Sequence, residues 1–224
     1  MAEFTRMEVI NKMMETGLIP LFYHNDINVS KKLVKALYLG GARVIEFTAR
    51  GNFSFQTFSQ LSQYVASNYS DLILGVGSIT DAAAASLYMQ AGAQFIVTPV
   101  LREDIAIVCN RRKVLWSPGC TTITEIAKAE ELGCEMIKFF PASSFGSDFI
   151  KAVKGPQPWT TFMATGGIKP EEADLKEWFE AGVSCVGIGS QLIVKNPQGL
   201  PEYSEIQILT EKVIKTIKKY KSGK

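Results

Sequence analysis

The sequence predicts an α/β fold: a single (β/α)8 TIM barrel with an N-terminal capping helix. Three observations carry that prediction. Short apolar or β-branched runs alternate with longer segments whose apolar residues recur at helical spacing, the pattern of parallel strands joined by crossover helices. Eight such units can be counted, which favours a closed barrel over an open doubly wound sheet. Glycines also punctuate the ends of helical segments, at Gly40-Gly41, Gly92, Gly133 and Gly182, where a left-handed residue is favourable.

Taken in order, a leading helix over residues 6–15 caps the barrel. The strands are expected at 18–23, 43–48, 72–76, 95–98, 114–117, 136–140, 161–164 and 185–189. Helices fit the intervals at 29–39, 55–68, 81–90, 103–110, 123–132, 147–153, 170–180 and 205–219. No low-complexity linker or shift of composition divides the chain, so residues 1–224 read as one barrel domain ending in a helical basic tail at about 205–224. In that tail Val213, Ile214 and Ile217 share one helical face and lysines occupy the other, as in a solvated amphipathic helix.

Composition narrows the classes of function. With 224 residues, 46% hydrophobic and 21% charged, the chain can bury one large core. A net charge of +2 with scattered basic residues provides no broad positive field, so no nucleic-acid partner is expected. No segment supplies the roughly 20 apolar residues that span a bilayer, and residues 1–15 lack the apolar run of a signal peptide; a cytoplasmic protein without a membrane partner is the expectation. Cys109, Cys120, Cys134 and Cys185 are far apart, as buried reduced thiols would be. His24 is the only histidine, so one chain cannot assemble a His-rich metal cluster or a pair of histidine catalysts.

The chemistry centres on Lys138, in the strand-like run Glu135-Met136-Ile137-Lys138-Phe139-Phe140-Pro141. Burial disfavours an ammonium, so a lysine there is partly neutral and can attack a ketone to form a Schiff base. In Val44-Ile45-Glu46-Phe47-Thr48-Ala49-Arg50, strand alternation puts Val44, Glu46 and Thr48 on one face, with Arg50 just beyond. Glu46 and Lys138 can then share the barrel interior as a catalytic pair; the alternative is a structural ion pair filling a polar layer. Arg50 offers a planar fork suited to a carboxylate. Thr165-Gly166-Gly167-Ile168 after strand seven and Gly187-Ile188-Gly189-Ser190 closing strand eight suit a phosphate cup, with a short helix expected after the second turn. In Gly75-Val76-Gly77-Ser78, the serine either meets a carboxylate or caps the next helix. Thr98-Pro99 and Pro118-Gly119 read as turns that shape the mouth.

Together these segments, with Ser117-Pro118-Gly119 and Lys138-Phe139-Phe140-Pro141-Ala142, resemble the 2-keto-3-deoxy-6-phosphogluconate aldolase family, whose members also act on 4-hydroxy-2-oxoglutarate. The resemblance spans nearly the whole chain. It implies a class I aldolase in which Lys138 forms the Schiff base and Glu46 moves protons. Arg50, Ser78 and Pro99 would bind the substrate carboxylate, and Thr165, Gly166, Gly167, Gly189 and Ser190 the phosphate. It further implies a small-molecule 2-keto-3-deoxy sugar acid phosphate and pyruvate as ligands, no metal, no cofactor and a homotrimer. Three positions depart from the family pattern. Ser78 replaces a common threonine, the first strand ends in Tyr23-His24 where many relatives carry an arginine, and Pro99-Val100-Leu101 replaces Pro-Gly-Leu. Rival readings are the phosphogalactonate epimer as substrate, a phosphosugar isomerase or epimerase, and a silent phosphosugar binder.

Overall fold

The computed structural model describes residues 3–221. Thr5 opens α1 (Arg6–Thr16) through a capping box: its hydroxyl accepts from the Glu8 N–H, and the Glu8 carboxylate accepts from the Thr5 N–H. Gly17 ends the helix and feeds β1 (Leu18–Phe22). There follow α2 (Ile27–Leu39), β2 (Val44–Thr48), α3 (Ser54–Asn68), β3 (Ile73–Gly77), α4 (Ala82–Gln90), β4 (Phe95–Thr98), α5 (Glu103–Arg112) and β5 (Leu115–Cys120). The second half comprises α6 (Ile123–Glu131), β6 (Ile137–Phe139), α7 (Ala142–Phe145), α8 (Ser147–Lys154), β7 (Phe162–Thr165), α9 (Glu172–Ala181), β8 (Cys185–Ile188) and α10 (Tyr203–Lys221). Each strand pairs in parallel with its sequence neighbour, and β1 pairs with β8, closing the eight-stranded TIM barrel.

Period-two alternation sorts the strand side chains into two apolar regions. Ile45 and Phe47 of β2 face outward, into the core between strands and helices. Val44, Ile73, Phe95, Leu115, Met136, Met163 and Cys185 face inward and form a plug with Val9, Ile10 and Met13 of α1. The leading helix therefore caps the N-terminal end of the barrel, and the polar inward residues are left to the other end. No helix among the described residues is long and apolar enough to cross a membrane. The four cysteines are buried and free.

Two expectations need correcting, and one short helix was not expected. Strand five does not stop at residue 117: β5 runs through Pro118 and Gly119 to Cys120, so those two are strand residues and not a turn. Pro118 stands opposite Thr98, the last residue of β4, where that ladder ends and a missing donor is tolerated. The short helix α7 had no periodic signal in four residues. Finally, the short helix expected directly after Ser190 does not form; the next helix is α10. Leu192 and Ile193 donate to the Gly189 carbonyl in one turn, then the β-branched pair Ile193-Val194 and Pro197 stop it. The tail expected over 205–224 is α10 as far as Lys221; residues 1, 2 and 222–224 of the expected domain lie outside the described residues.

Candidate active site

A cavity of about 730 Å³ opens at the C-terminal ends of the strands. It is lined by all ten residues nominated from sequence: Glu46, Arg50, Ser78, Pro99, Lys138, Thr165, Gly166, Gly167, Gly189 and Ser190. They converge from six strands or strand ends, as expected at the active face of such a barrel.

Glu46 and Lys138 lie at the floor, where the apolar plug gives way to polar side chains. Lys138 is the central residue of β6, paired with Gly119 and Met163. It is only 6% exposed, Glu46 only 1%. Burial pushes the Lys138 amine below its ordinary pKa; Glu46 opposes that shift and Arg50 adds to it. Burial likewise pushes the Glu46 carboxyl up, against the pull of Lys138 and Arg50. No salt bridge joins the two among the described residues, and Glu46 Oε2 has no hydrogen-bond partner within the protein. A closed structural ion pair is therefore not what fills this layer. The Lys138 ammonium lies 4.8 Å from the centroid of the Phe140 ring.

Room for the Glu46 carboxylate comes from β3. A Cβ at Gly77 would sit 1.7 Å from Glu46 Oε1, so any larger residue there would push the carboxylate out of this position. Beyond it Ser78 takes φ 64°, a left-handed conformation uncommon for a residue with a Cβ. Ser78 does not cap α4: Asp81 does, accepting from the Ala84 N–H at 2.7 Å. Arg50 leaves β2 through a tight turn in which its N–H donates to the Thr48 carbonyl at 2.8 Å, and it reaches the exposed rim. Pro99 lies in a turn tied by the Thr98 hydroxyl, which donates to the Val100 carbonyl at 2.7 Å.

Across the mouth, Gly166 and Gly167 both take positive φ (95° and 81°), a pair that side-chain-bearing residues would adopt only under strain. The neighbouring Thr165 Oγ1 is buried without a hydrogen-bond partner in the protein. Sequence reasoning gave no role to several lining residues, among them Tyr23, Thr48, Phe140, Gln191 and Lys195. Alternation put Thr48 on the face of Glu46 without giving it a role, and the same period places Phe140 two positions from Lys138. Gln191 and Lys195 lie in the irregular segment before α10, where no period indicates what a side chain faces.

A closed barrel of parallel strands, with its cavity and perturbed acid–base groups at the C-terminal mouth, defines the class: a TIM-barrel enzyme. Residues 9–209 match the family model described as KDPG and KHG aldolase, for 2-keto-3-deoxy-6-phosphogluconate and 4-hydroxy-2-oxoglutarate; the chain belongs to this family and is an aldolase, a lyase. It is 33% identical over 198 residues to a 2-dehydro-3-deoxy-phosphogluconate aldolase of Pseudoalteromonas atlantica, covering 88% of this chain and 89% of the relative. A second relative, the 2-dehydro-3-deoxy-6-phosphogalactonate aldolase of Escherichia coli, is 34% identical over 121 residues, 54% of this chain and 58% of its own. The solved 2-keto-3-deoxy-6-phosphogluconate aldolase of Zymomonas mobilis superposes with a TM-score of 0.80 at 25% identity, covering 92% of this chain and 95% of that one.

Proposed function

We propose that the protein is a class I, Schiff-base aldolase that cleaves 2-keto-3-deoxy-6-phosphogluconate to pyruvate and glyceraldehyde 3-phosphate, and 4-hydroxy-2-oxoglutarate to pyruvate and glyoxylate as a second reaction of the same site. The observation that carries it is the floor of the cavity. One buried amine and one buried carboxyl, each biased toward its neutral form, supply the nucleophile and the proton donor that imine formation needs.

Neutral Lys138 adds through Nζ to the C2 ketone, giving a carbinolamine. Glu46 donates its proton to the C2 hydroxyl, water leaves, and the iminium becomes the electron sink. The Glu46 carboxylate, through a water, then takes the C4 hydroxyl proton. The C4–O bond becomes a carbonyl, the C3–C4 bond breaks, and its electron pair passes into the iminium as an enamine. Glyceraldehyde 3-phosphate departs; protonation at C3 and hydrolysis release pyruvate and restore the amine. Arg50, Ser78 and the Pro99 turn hold the C1 carboxylate. Thr165, Gly166, Gly167, Gly189 and Ser190 hold the phosphate, with backbone N–H groups brought close by the glycines. The working enzyme in this reading is a cytoplasmic homotrimer.

Steady-state kinetics on the gluconate and galactonate epimers and on 4-hydroxy-2-oxoglutarate tests the assignment. The expected result is the highest kcat/KM on the gluconate epimer, with nearly all turnover lost on every substrate in Lys138→Ala. Undiminished turnover in Lys138→Ala would overturn the mechanism. A preference for the galactonate epimer, the substrate in the name of the Escherichia coli relative, would overturn only the substrate assignment.

A further inference from the structure

Three cations line the cavity, Arg50, Lys138 and Lys195, against one carboxylate, Glu46. Lys138 must shed its charge to add to a ketone, so the standing positive charges are Arg50 and Lys195. The proposed substrate also has two anionic ends. Arg50 takes the carboxylate, while the glycine turns offer the phosphate only backbone N–H groups and hydroxyls. Arg50 follows β2 and Lys195 follows β8, on opposite flanks of β1, which pairs with both.

The loop that carries Lys195 is fixed by its own hydrogen bonds. The Gly189 carbonyl accepts from Leu192 and Ile193, turning the chain back over the cavity. The Glu202 N–H then donates to the Val194 carbonyl at 3.0 Å, the Asn196 N–H donates to the Leu200 carbonyl at 2.9 Å, and Lys195 and Pro201 form an antiparallel bridge. Asn196 Oδ1 closes the tip by accepting from the Gln198 and Leu200 N–H groups at 3.0 and 2.9 Å. No carboxylate among the described residues forms a salt bridge with Lys195, so its charge is not spent inside the protein.

We infer that Lys195 is a specificity-determining residue that takes the phosphate end of the substrate and sets the preference for phosphorylated over unphosphorylated keto acids. The assignment rests on the aldolase reading of the cavity. Lysine is a point charge with three donors on a flexible stem, suited to a phosphate that the glycine turns orient.

Two measurements on Lys195→Met and Lys195→Arg test it. The first is the ratio of kcat/KM for 2-keto-3-deoxy-6-phosphogluconate to that for 4-hydroxy-2-oxoglutarate. The second is the affinity for inorganic phosphate by calorimetry, which needs no turnover. In Lys195→Met the ratio falls about tenfold, through KM, because one charge-assisted hydrogen bond is lost. Phosphate affinity falls with it, both losses shrink as salt rises, and Lys195→Arg restores most of each. An unchanged ratio, or equal losses on both substrates, overturns the role of Lys195. A wild-type protein that cleaves neither keto acid, yet binds phosphate less tightly when Lys195 becomes methionine, overturns the aldolase reading and leaves the phosphate contact standing.

Discussion

The amine of Lys138 and the carboxyl of Glu46 are each displaced from their ordinary ranges mainly by loss of water, and each partly restrains the other's displacement. This coupling fixes the sign of a pH effect. Only the unprotonated amine reacts, so imine formation climbs as pH rises through the folded-state pKa of Lys138. The negative charge on Glu46 favours the ammonium and holds that pKa up; Glu46→Gln removes it. The ascending limb of the pH profile for imine formation with pyruvate should therefore move to lower pH in Glu46→Gln. Turnover falls by roughly 10²-fold or more, because the proton carrier is gone. A limb that stays in place, or moves to higher pH, would show that the two groups do not sense each other as described.

At the scale of elements, the site is a product of where strands end and where their inward side chains are missing. Gly77 of β3 gives the Glu46 carboxylate its space, and its backbone conformation accepts alanine, so Gly77→Ala acts through the added methyl alone. A displacement of about 1 Å is enough to cost on the order of 10²-fold in rate, so kcat should fall by that order while circular dichroism shows a folded barrel. Wild-type kcat in that variant would mean that the position of Glu46 is not critical. The same scale explains what was legible in the sequence. Alternation placed Glu46 and Thr48 on one face, and paired glycines marked the turns after β7 and β8. Closed repeats of strand and helix gave the barrel. What stayed hidden lacked a period: the four-residue α7, the continuation of β5 through Pro118, and the hairpin-like loop that brings Lys195 over the cavity. The expected helix after Ser190 failed for a local reason, since a β-branched pair and a proline stand where it would have grown.

Across the whole molecule the two ends of the barrel divide stability from chemistry. The N-terminal end is closed by α1, whose Val9 and Met13 are fully buried against the inward plug, and the C-terminal end keeps its polar layer and its cavity. Met13→Ala should cost about 2–5 kcal/mol of stability, as large-to-small changes in packed cores do. Its kcat/KM at a temperature where it remains folded should match the parent, because none of the residues that form the plug with Met13 lines the cavity. Denaturant unfolding and steady-state kinetics on one preparation check both halves; a loss of kcat/KM without a loss of stability would contradict the division.

Turnover in the proposed mechanism passes through an imine between Lys138 and the keto acid. The most direct measurement is incubation of the protein with pyruvate and borohydride, followed by peptide mass spectrometry to locate the reduced adduct. One adduct is expected, on Lys138, and none in Lys138→Ala. An adduct on another lysine, or none in a folded sample that binds phosphate, would contradict it.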